Sequence, residues 1–550
     1  MGIRRIARLL LATTLLGGAV AHATEPITLV EVISSIPGLS GTSDVVVSPD
    51  GAHVYVTSPY DDTLVMFSRD AGTNALTSLG FLQDGVGGVD GLDQAMRIAV
   101  SPDGAQVYVA SQGDSALAVF DRDAGTGLLT QTQVLEQGVS GVDGLTAPTS
   151  LVVAPDGGHV YGGRVRTEVP ERGPAVFERD AGTGLLTFVE VTAAMPSFSM
   201  TLSPDGANLY AAGALVELVV ATRDANTGLL TPVQTIPREG GLGSFTTGSL
   251  AVSPDGRHLY YSGTSFFTTP FLDRDFAIAT FVRDTGNGTL LLEGVRRAGL
   301  GADISLRVTS DGLVLVMGSP QFGSGGAGAR NPATGAATRW DTLQPVGGRI
   351  AIAPDDRGIY GADEGGVFVG TLGPCRPLVI DTKLSFKYIG SDPDPDNDTL
   401  VLKGKASLPG VAVPDLALDV TGVRLVLDTL GVGPVSDDTI PGGTYGGTGT
   451  AGWVQKNEGA IWLYLDRTLS PINGITKITI QDRSSNFPGE VGIKVIAKAG
   501  GSYPVPGGTF NVPTTVARLE LGSPDTCLLT GTALCKGNAA LTKSTCKTDR

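Results

Sequence analysis

The sequence contains few of the residues on which most catalytic and metal centres depend. Its 550 residues include four histidines and four cysteines. His22 falls in an N-terminal segment that we expect to be removed, while His53, His159 and His258 recur beside the same turn of a repeat, where we expect them to face solvent. No GxSxG, HExxH or phosphate-binding glycine loop occurs. Neither a histidine metal cluster nor a Ser-His-Asp triad is therefore expected.

Charge and long apolar runs are also scarce. Only 17% of residues are charged, acidic residues outnumber basic ones, and the formal net charge is −16. This balance, with no basic stripe to offset it, argues against nucleic acid and anionic lipid as partners. After the N-terminus no segment approaches the roughly 18 apolar residues that span a bilayer, so we predict no membrane span.

The N-terminus has the pattern of a secretory signal peptide. Arginines at positions 4, 5 and 8 precede an apolar run from Leu9 to Val20, and Ala21-His22-Ala23 forms a small-x-small cleavage site. We therefore predict removal of residues 1–23 and a secreted or periplasmic protein.

Glycine is abundant, at 78 residues, and much of it belongs to a repeat of about 50 residues, a period typical of propellers and solenoids. One unit runs from Ile98 to Glu136 and contains four apolar β-type runs, with Pro102-Asp103-Gly104 as its first turn and Arg122-Asp123-Ala124-Gly125-Thr126-Gly127 as its third. Four antiparallel strands of this kind form one propeller blade.

Seven copies of the first turn predict seven blades. The turns begin at Ser48, Ser101, Ala154, Ser203, Ser253, Thr309 and Ala353. A tyrosine recurs in the second strand and an Arg-Asp pair at the third turn; because they repeat, we interpret them as structural. Ile27 to Val32 matches an outer strand, whereas the seventh unit, Ile350 to Leu372, lacks one. We therefore expect the N-terminal strand to complete the last blade and close the ring.

The SPDGxxVYV and xVFxRDAxTGxLT motifs resemble those of the lactonase-type, or YVTN-type, seven-bladed propellers, which include the propeller 6-phosphogluconolactonases. The resemblance covers residues 25–374. It implies the propeller fold and, as an activity, hydrolysis of a lactone.

Candidate binding residues emerge from aligning the blades at the position before each innermost strand. This position holds Asp44, Arg97, Ser150, Ser199, Ser249, Ser305 and Arg349. Its three charged members come from neighbouring blades and could hold a carboxylate or phosphate, with Asp44 as orienting group or base. The alternative is a salt-bridge network between blades. Arg307 places a charge where the other innermost strands carry small uncharged side chains, so we expect it to face the channel or to pair with Asp303 or an acidic loop residue.

Two near-identical connecting loops, 84–95 and 136–147, carry Asp90 and Asp143. Their glycines would let the backbone approach a ligand closely. Repetition favours a structural loop instead.

A second domain begins near Cys375, where the repeat stops. Seven or so β-type runs in residues 375–522 predict a β-sandwich, and residues 523–550 form a tail. Asp392, Asp394, Asp396 and Asp398 alternate along one loop as in part of a calcium site, although an acidic hairpin is the simpler interpretation. Cys375, Cys527, Cys535 and Cys546 predict two disulfides with three alternative pairings.

The sequence leaves three functional hypotheses. The first is an all-β, exported protein whose propeller binds a small molecule, glycan or protein through its irregular loops, with no cofactor other than calcium. The second is a lactone hydrolase using the neighbourhood of Asp44, Arg97, Arg307 and Arg349, and the third is a structural component of the cell surface.

Overall fold

The fold was analysed in a computed structural model of the chain. In the repeat region it describes residues 27–164, 172–193, 195–213, 218–237, 248–266, 274–297, 305–312, 314–318, 326–330, 335–336, 341–342 and 348–372. After the repeats it describes residues 375–377, 379–387, 399–407, 423–429, 433–440, 444–447, 450–456, 461–467, 475–482, 490–498, 515–521, 527–529, 533–537 and 543–548. All regular elements in these ranges are β-strands, which confirms the all-β prediction.

The described chain begins with strand β1 (Ile27–Ile33) and continues into seven four-stranded sheets. Blade one contains β2 (Asp44–Val47), β3 (His53–Ser58), β4 (Thr63–Arg69) and β5 (Leu76–Gln83); blade two contains β6 (Ala95–Val100), β7 (Gln106–Ser111), β8 (Ala116–Arg122) and β9 (Leu129–Glu136). Blade three contains β10 (Pro148–Val153), β11 (His159–Arg164), β12 (Arg172–Arg179) and β13 (Leu186–Ala193); blade four contains β14 (Ser199–Leu202), β15 (Asn208–Ala212), β16 (Leu218–Arg223) and β17 (Leu230–Ile236). Blade five contains β18 (Leu250–Val252), β19 (His258–Phe266), β20 (Arg274–Arg283) and β21 (Leu290–Arg297); blade six contains β22 (Ser305–Val308), β23 (Val314–Gly318), β24 (Gly326–Ala329) and β25 (Asp341–Thr342). Blade seven contains β26 (Arg349–Ile352), β27 (Gly358–Asp363), β28 (Gly366–Leu372) and, as its outer strand, β1.

The ring closes as predicted. β1 pairs antiparallel with β28, in a register that sets Ile27 opposite Leu372 and Ile33 opposite Val367. The outer edge of the last blade is thereby covered by the first strand of the chain, so the seven sheets form a closed propeller.

The apolar core lies between the blades. Second strands such as β3 and β7 are buried along their whole length, because each face packs against a neighbouring blade. The outer strand β5 is buried only at Leu76, and its other residues are exposed or half-buried, because it lies at the outer edge of its blade. One representative cluster joins Tyr55 of blade one to Val107 and Phe120 of blade two.

The recurrent tyrosine and arginine form a polar network between blades. Arg122 donates from Nε to the hydroxyl of Tyr55 at 2.9 Å and from Nη2 to Asp50 at 2.6 Å, while Tyr55 donates to the carbonyl of Gly127. The same arginine arrangement recurs at Arg69, Arg179, Arg223, Arg283 and Arg330. Burial opposes ionisation of Asp50, but hydrogen bonds from Ser48, the Ala52 amide and Arg122 lower the pKa of its carboxyl to about 2.

The prediction that the histidines face solvent is wrong. His53, His159 and His258 are 4%, 3% and 2% exposed. Each offers Nδ1 to the Nη2 group of the next blade's arginine, at 2.8 Å for His53. Since that arginine is distant in sequence, local pattern gave no sign of it. The histidines are structural groups.

The second domain consists of strands linked in one thirteen-stranded sheet. They are β29 (Cys375–Pro377), β30 (Val379–Lys387), β31 (Thr399–Ser407), β32 (Val423–Thr429), β33 (Gly433–Ile440), β34 (Ala451–Lys456), β35 (Ile461–Asp466), β36 (Ile475–Asp482), β37 (Glu490–Lys498), β38 (Thr515–Leu521), β39 (Cys527–Leu529), β40 (Ala533–Gly537) and β41 (Lys543–Thr548). The last three come from the predicted tail and pair with β29, β38 and β30. Trp453 and Tyr464 pack together in the interior, with ring centroids 5.3 Å apart.

Candidate functional site

A cavity of about 290 Å³ lies where the innermost strands begin, and we call it the channel-mouth cavity. Six blades contribute to it, because all innermost strands run in the same direction and so start at one end of the ring. Its lining residues are Gly41, Thr42, Ser43, Pro59, Tyr60, Met96, Arg97, Phe198, Gly248, Ser249, Ser305, Gly348, Arg349, Ala362, Asp363 and Glu364. This is the face that carries the irregular loops, where the sequence predicts ligand binding.

The two arginines predicted at the channel mouth both line this cavity, but in different ways. Arg97 is 9% exposed and is held by backbone carbonyls, with Nε donating to Thr149 O at 2.6 Å and Nη1 to Met96 O at 2.7 Å. Arg349 is half-buried, and among the described residues its guanidinium makes no hydrogen bond or ion pair. Arg97 is therefore fixed in place, whereas Arg349 has its donors available to a ligand.

Arg307 lies near Arg349 and Asp44. Burial lowers the pKa of its guanidinium, the negative charge of Asp44 raises it, and the positive charge of Arg349 lowers it further. Its Nη1 donates to the carbonyl of Leu306 at 2.8 Å. Asp303, proposed as its partner, lies outside the described residues. Three guanidinium groups, those of Arg97, Arg307 and Arg349, therefore lie at this end of the channel.

Asp44 lies behind the cavity rather than in its lining. It is 6% exposed, and its carboxylate accepts the amides of Val45 at 3.1 Å and of Ile98, in the next blade, at 3.3 Å. Ser150 and Ser305 accept equivalent amides, from Met200 and Ile350. Asp44 therefore joins two blades, as these serines do.

The structure adds two carboxyl groups that the sequence search missed, Asp363 and Glu364. Both line the cavity, from the hairpin between β27 and β28. Burial raises the pKa of Asp363 above its usual value; the hydrogen bond from the Gly365 amide opposes this shift, and the nearby charge of Glu364 adds to it. Across the cavity, Tyr60 is 70% exposed and its hydroxyl lies 3.5 Å from Glu364 Oε1. Cations and carboxyl groups thus converge on one small space.

Comparison with known families agrees with this architecture. The family model described as "Lactonase, 7-bladed beta-propeller" matches residues 18–142 and 98–246. The chain carries a lactonase-type seven-bladed propeller. No curated protein matches the chain.

Three solved structures are among those similar to this propeller-containing chain. A Bacteroides uniformis protein, solved as a suspected 6-phosphogluconolactonase, is 21% identical, with 57% of this chain and 88% of that chain covered and a TM-score of 0.45. The Pseudomonas aeruginosa periplasmic gluconolactonase is 20% identical, with coverages of 56% and 85% and a TM-score of 0.46. Kuenenia stuttgartiensis hydrazine synthase is 17% identical, with coverages of 62% and 98% and a TM-score of 0.46.

The connecting loops of the lactonase-type propeller gather acidic groups. Oxygen atoms of Asp84, Asp90 and Asp114 lie within 4.8 Å of one another. Asp84 accepts the Leu92 amide at 2.9 Å; in the next loop Gln137 accepts the equivalent Leu145 amide at 2.7 Å. Because an uncharged amide makes the same bond, the loop shape does not depend on a cation. Asp90 and Asp143 accept the amide that follows each of them, as structural loop residues do.

Some of the other predicted features lie outside the described residues. The acidic loop with Asp392, Asp394, Asp396 and Asp398 lies outside the described residues, and so does the predicted signal peptide. The four cysteines lie on described strands. In the described part of the chain, no helix has the length and apolar character needed to cross a membrane.

Proposed function

We propose that this propeller hydrolyses a lactone in the channel-mouth cavity. The observation that carries the proposal is the convergence of Arg97, Arg349 and the carboxyl groups of the β27–β28 hairpin on one space of about 290 Å³. The family match over residues 18–246 supports the same activity. A recognition platform needs only a broad loop face, whereas hydrolysis needs a small pocket with opposed charges. The channel-mouth cavity is a small pocket of the kind that hydrolysis needs.

The arginines would act on the developing negative charge. When water adds to a lactone carbonyl, the carbonyl oxygen becomes an oxyanion, which hydrogen-bond donors already in place stabilise. Arg349 has free donors in the cavity, and Arg97 contributes a guanidinium that backbone carbonyls hold still. Arg307 adds positive charge nearby. We assign Arg349 to the oxyanion and Arg97 to orientation of the substrate.

The test is hydrolysis of a panel of γ- and δ-lactones by the mature protein and its Arg349→Gln variant. We expect kcat/KM to fall about 100-fold in the variant, the usual cost of losing one oxyanion donor. Arg257→Gln is the matched control, because Arg257 is exposed beside a first turn on the other face. No turnover of any lactone by the wild type would overturn the proposal, as would full activity in a folded Arg349→Gln variant.

We further propose that the protein acts outside the cytoplasm. The pattern of residues 1–23 supports export. Intact-mass measurement of protein from the native host should give a chain that begins at Thr24; a chain that retains Met1 would contradict this.

A further inference from the structure

Asp363 occupies a position that blades one and two use for a structural serine. It is the third residue after the recurrent tyrosine, at the end of the second strand. In blades one to five this position holds Ser58, Ser111, Arg164, Gly213 and Gly263. Ser58 and Ser111 are fully buried and donate to the loop carbonyls of Ser40 and Gly91, at 2.5 and 2.7 Å. A carboxylate cannot make that bond, so Asp363 breaks the structural pattern.

The Asp363 side chain is held in one place yet retains an open oxygen. Its Oδ1 accepts the Gly365 amide at 2.8 Å, while among the described residues Oδ2 accepts no hydrogen bond. Its backbone carbonyl accepts the hydroxyl of Thr42. A Cβ built on Gly348 would lie 3.0 Å from the Asp363 Cβ, so Asp363 packs against the segment that leads into Arg349. Asp363 and Arg349 both line the channel-mouth cavity.

We propose that Asp363 is the general base that activates water for lactone hydrolysis, an inference that rests on the proposed function. The carboxylate takes a proton from water as the new C–O bond forms to the lactone carbonyl, and Arg349 stabilises the oxyanion. The ring C–O bond then breaks, and the carboxylic acid returns the proton to the departing alkoxide. The products are one hydroxy acid and the unchanged enzyme, with no further reactant.

The surroundings of Asp363 predict how the rate depends on pH. Glu364 faces it from the same hairpin, Arg349 from the neighbouring strand, and Arg97 and Tyr60 from across the cavity. Burial and Glu364 raise the pKa of Asp363, so the acidic limb of kcat/KM should lie above the usual range for an aspartate. Replacing Glu364 by Gln removes one of these causes and should move that limb to lower pH.

The experiment compares wild type, Asp363→Asn, Asp363→Ser and Glu364→Gln on the best lactone of the panel. The serine variant restores the residue of blades one and two, so it keeps the fold if asparagine does not. We expect kcat to fall by about 100-fold or more in both Asp363 variants, with KM changed little. We expect Glu364→Gln to shift the acidic limb of kcat/KM to lower pH, whatever its effect on the plateau rate.

The outcomes separate the two proposals. Turnover by wild type that persists in both Asp363 variants overturns the role of Asp363 and leaves the proposed function standing. An acidic limb that does not move in Glu364→Gln also contradicts the assignment. Absence of turnover in wild type overturns the proposed function, and the base with it.

A second inference concerns the cysteines, and strand register carries it independently. β29 pairs in parallel with β39, which sets Cys375 opposite Cys527. β40 pairs antiparallel with β41, which sets Cys535 opposite Cys546. Neighbouring strands lie about 4.8 Å apart, within the Cα separation that a disulfide spans. Register thus selects one of the three pairings.

We infer that Cys375 pairs with Cys527 and Cys535 with Cys546. Each bond forms when two thiols lose two protons and two electrons to the disulfide of an oxidoreductase by thiol–disulfide exchange. The first bond would tie the start of the domain to its end.

Peptide mapping without reduction tests the pairing. Trypsin leaves Cys527 and Cys535 on one peptide, so a second digestion with chymotrypsin, at Leu528, Leu529 or Leu534, is needed to separate them. We expect the two predicted linked peptides and no alkylated cysteine, and in Cys375→Ser one alkylated thiol, on Cys527. A link from Cys375 to Cys535 or Cys546, or free thiols in the exported protein, would overturn the pairing.

Discussion

Between blades, one glycine and one side chain share a small space. A Cβ added to Gly127 would lie 2.1 Å from the ring of His53, and Gly184, Gly228, Gly288 and Gly335 face Gln106, His159, Asn208 and His258 in the same way. Where blade seven meets blade one the roles are exchanged, since Gly358 takes the side-chain position and Asn74, at φ 64°, takes that of the glycine. Asn74 Oδ1 then accepts Arg69 Nη2 at 2.6 Å. The Nη2 group of each arginine in the network thus keeps a side-chain acceptor.

Replacing Gly127 by alanine should therefore destabilise the propeller by more than backbone strain at a positive φ would alone. Gly127 has φ 74° and is blocked by His53, whereas Gly85 has φ 68° and open space around it. Gly85→Ala should lower the free energy of unfolding by about 1 kcal/mol through strain, and Gly127→Ala by roughly 1 to 3 kcal/mol more through the collision. Denaturant unfolding measures both. Equal effects would show that the His53 ring moves aside at no cost.

The buried histidines should make the propeller sensitive to mild acid. Burial, followed by the charge of Arg330, lowers the pKa of His258 to about 4, against an ordinary value of 6.5. A depressed pKa means that stability is complete above pH 6.5 and declines as pH falls towards 4, by roughly 3 kcal/mol for this group. His258→Gln, which copies Gln106 of blade two, should flatten the slope of Tm against pH in that range. An unchanged slope would contradict the assignment.

At the scale of strands and turns, one interface differs from the other six. Blade six carries Val316 where other blades have tyrosine, and blade seven carries Leu372 where they have arginine, so both partners of the network are replaced together. Asp356 bonds these blades instead, accepting the amide and hydroxyl of Ser310 at 2.8 and 2.6 Å. It does so at φ 55°, where other first turns have glycine.

Asp356→Gly tests whether the two hydrogen bonds to Ser310 outweigh the backbone strain at φ 55°. Glycine relieves the backbone but removes both bonds to Ser310. Since Asp356 is 5% exposed, we expect a net loss of about 1 to 3 kcal/mol in the free energy of unfolding. Gly206→Asp in blade four is the reciprocal control and should also destabilise, because Gly206 lies at φ 67°, where a side chain strains the backbone. A rise in stability for Asp356→Gly would show that the bonds to Ser310 contribute little.

Elements were easier to predict than sites for a physical reason. Blade number and ring closure follow from turns that the sequence encodes locally, and both predictions are confirmed. Arg330, the sixth arginine of the network, was missed because Asn331 replaces the usual aspartate. Asp363 was missed for two reasons. Its departure from the serine of blades one and two is visible only when the ends of the second strands are aligned, and its place in the cavity is visible only in the folded ring. Arg97 and Arg349 were found because each interrupts a run of serines at one position.

At the scale of the whole molecule, β1 holds the ring closed. Ile27 is 1% exposed against blade seven, whereas Val32, on the same strand, is 53% exposed. Ile27→Asp should therefore lower Tm by several degrees or more, since it buries a charge in the closing strand, while Val32→Asp should change Tm little. Thermal unfolding of the two variants compares them directly. Similar Tm values would mean that the propeller tolerates an open last blade.

The closing strand also dictates an order of assembly. Ile27 leaves the ribosome about 345 residues before its partner Leu372, a delay of roughly 20 to 70 s at common synthesis rates. During that time blade seven does not exist and β1 has nothing to pair with. The propeller therefore cannot close until its last blade has been made, so the chain stays open for most of its synthesis.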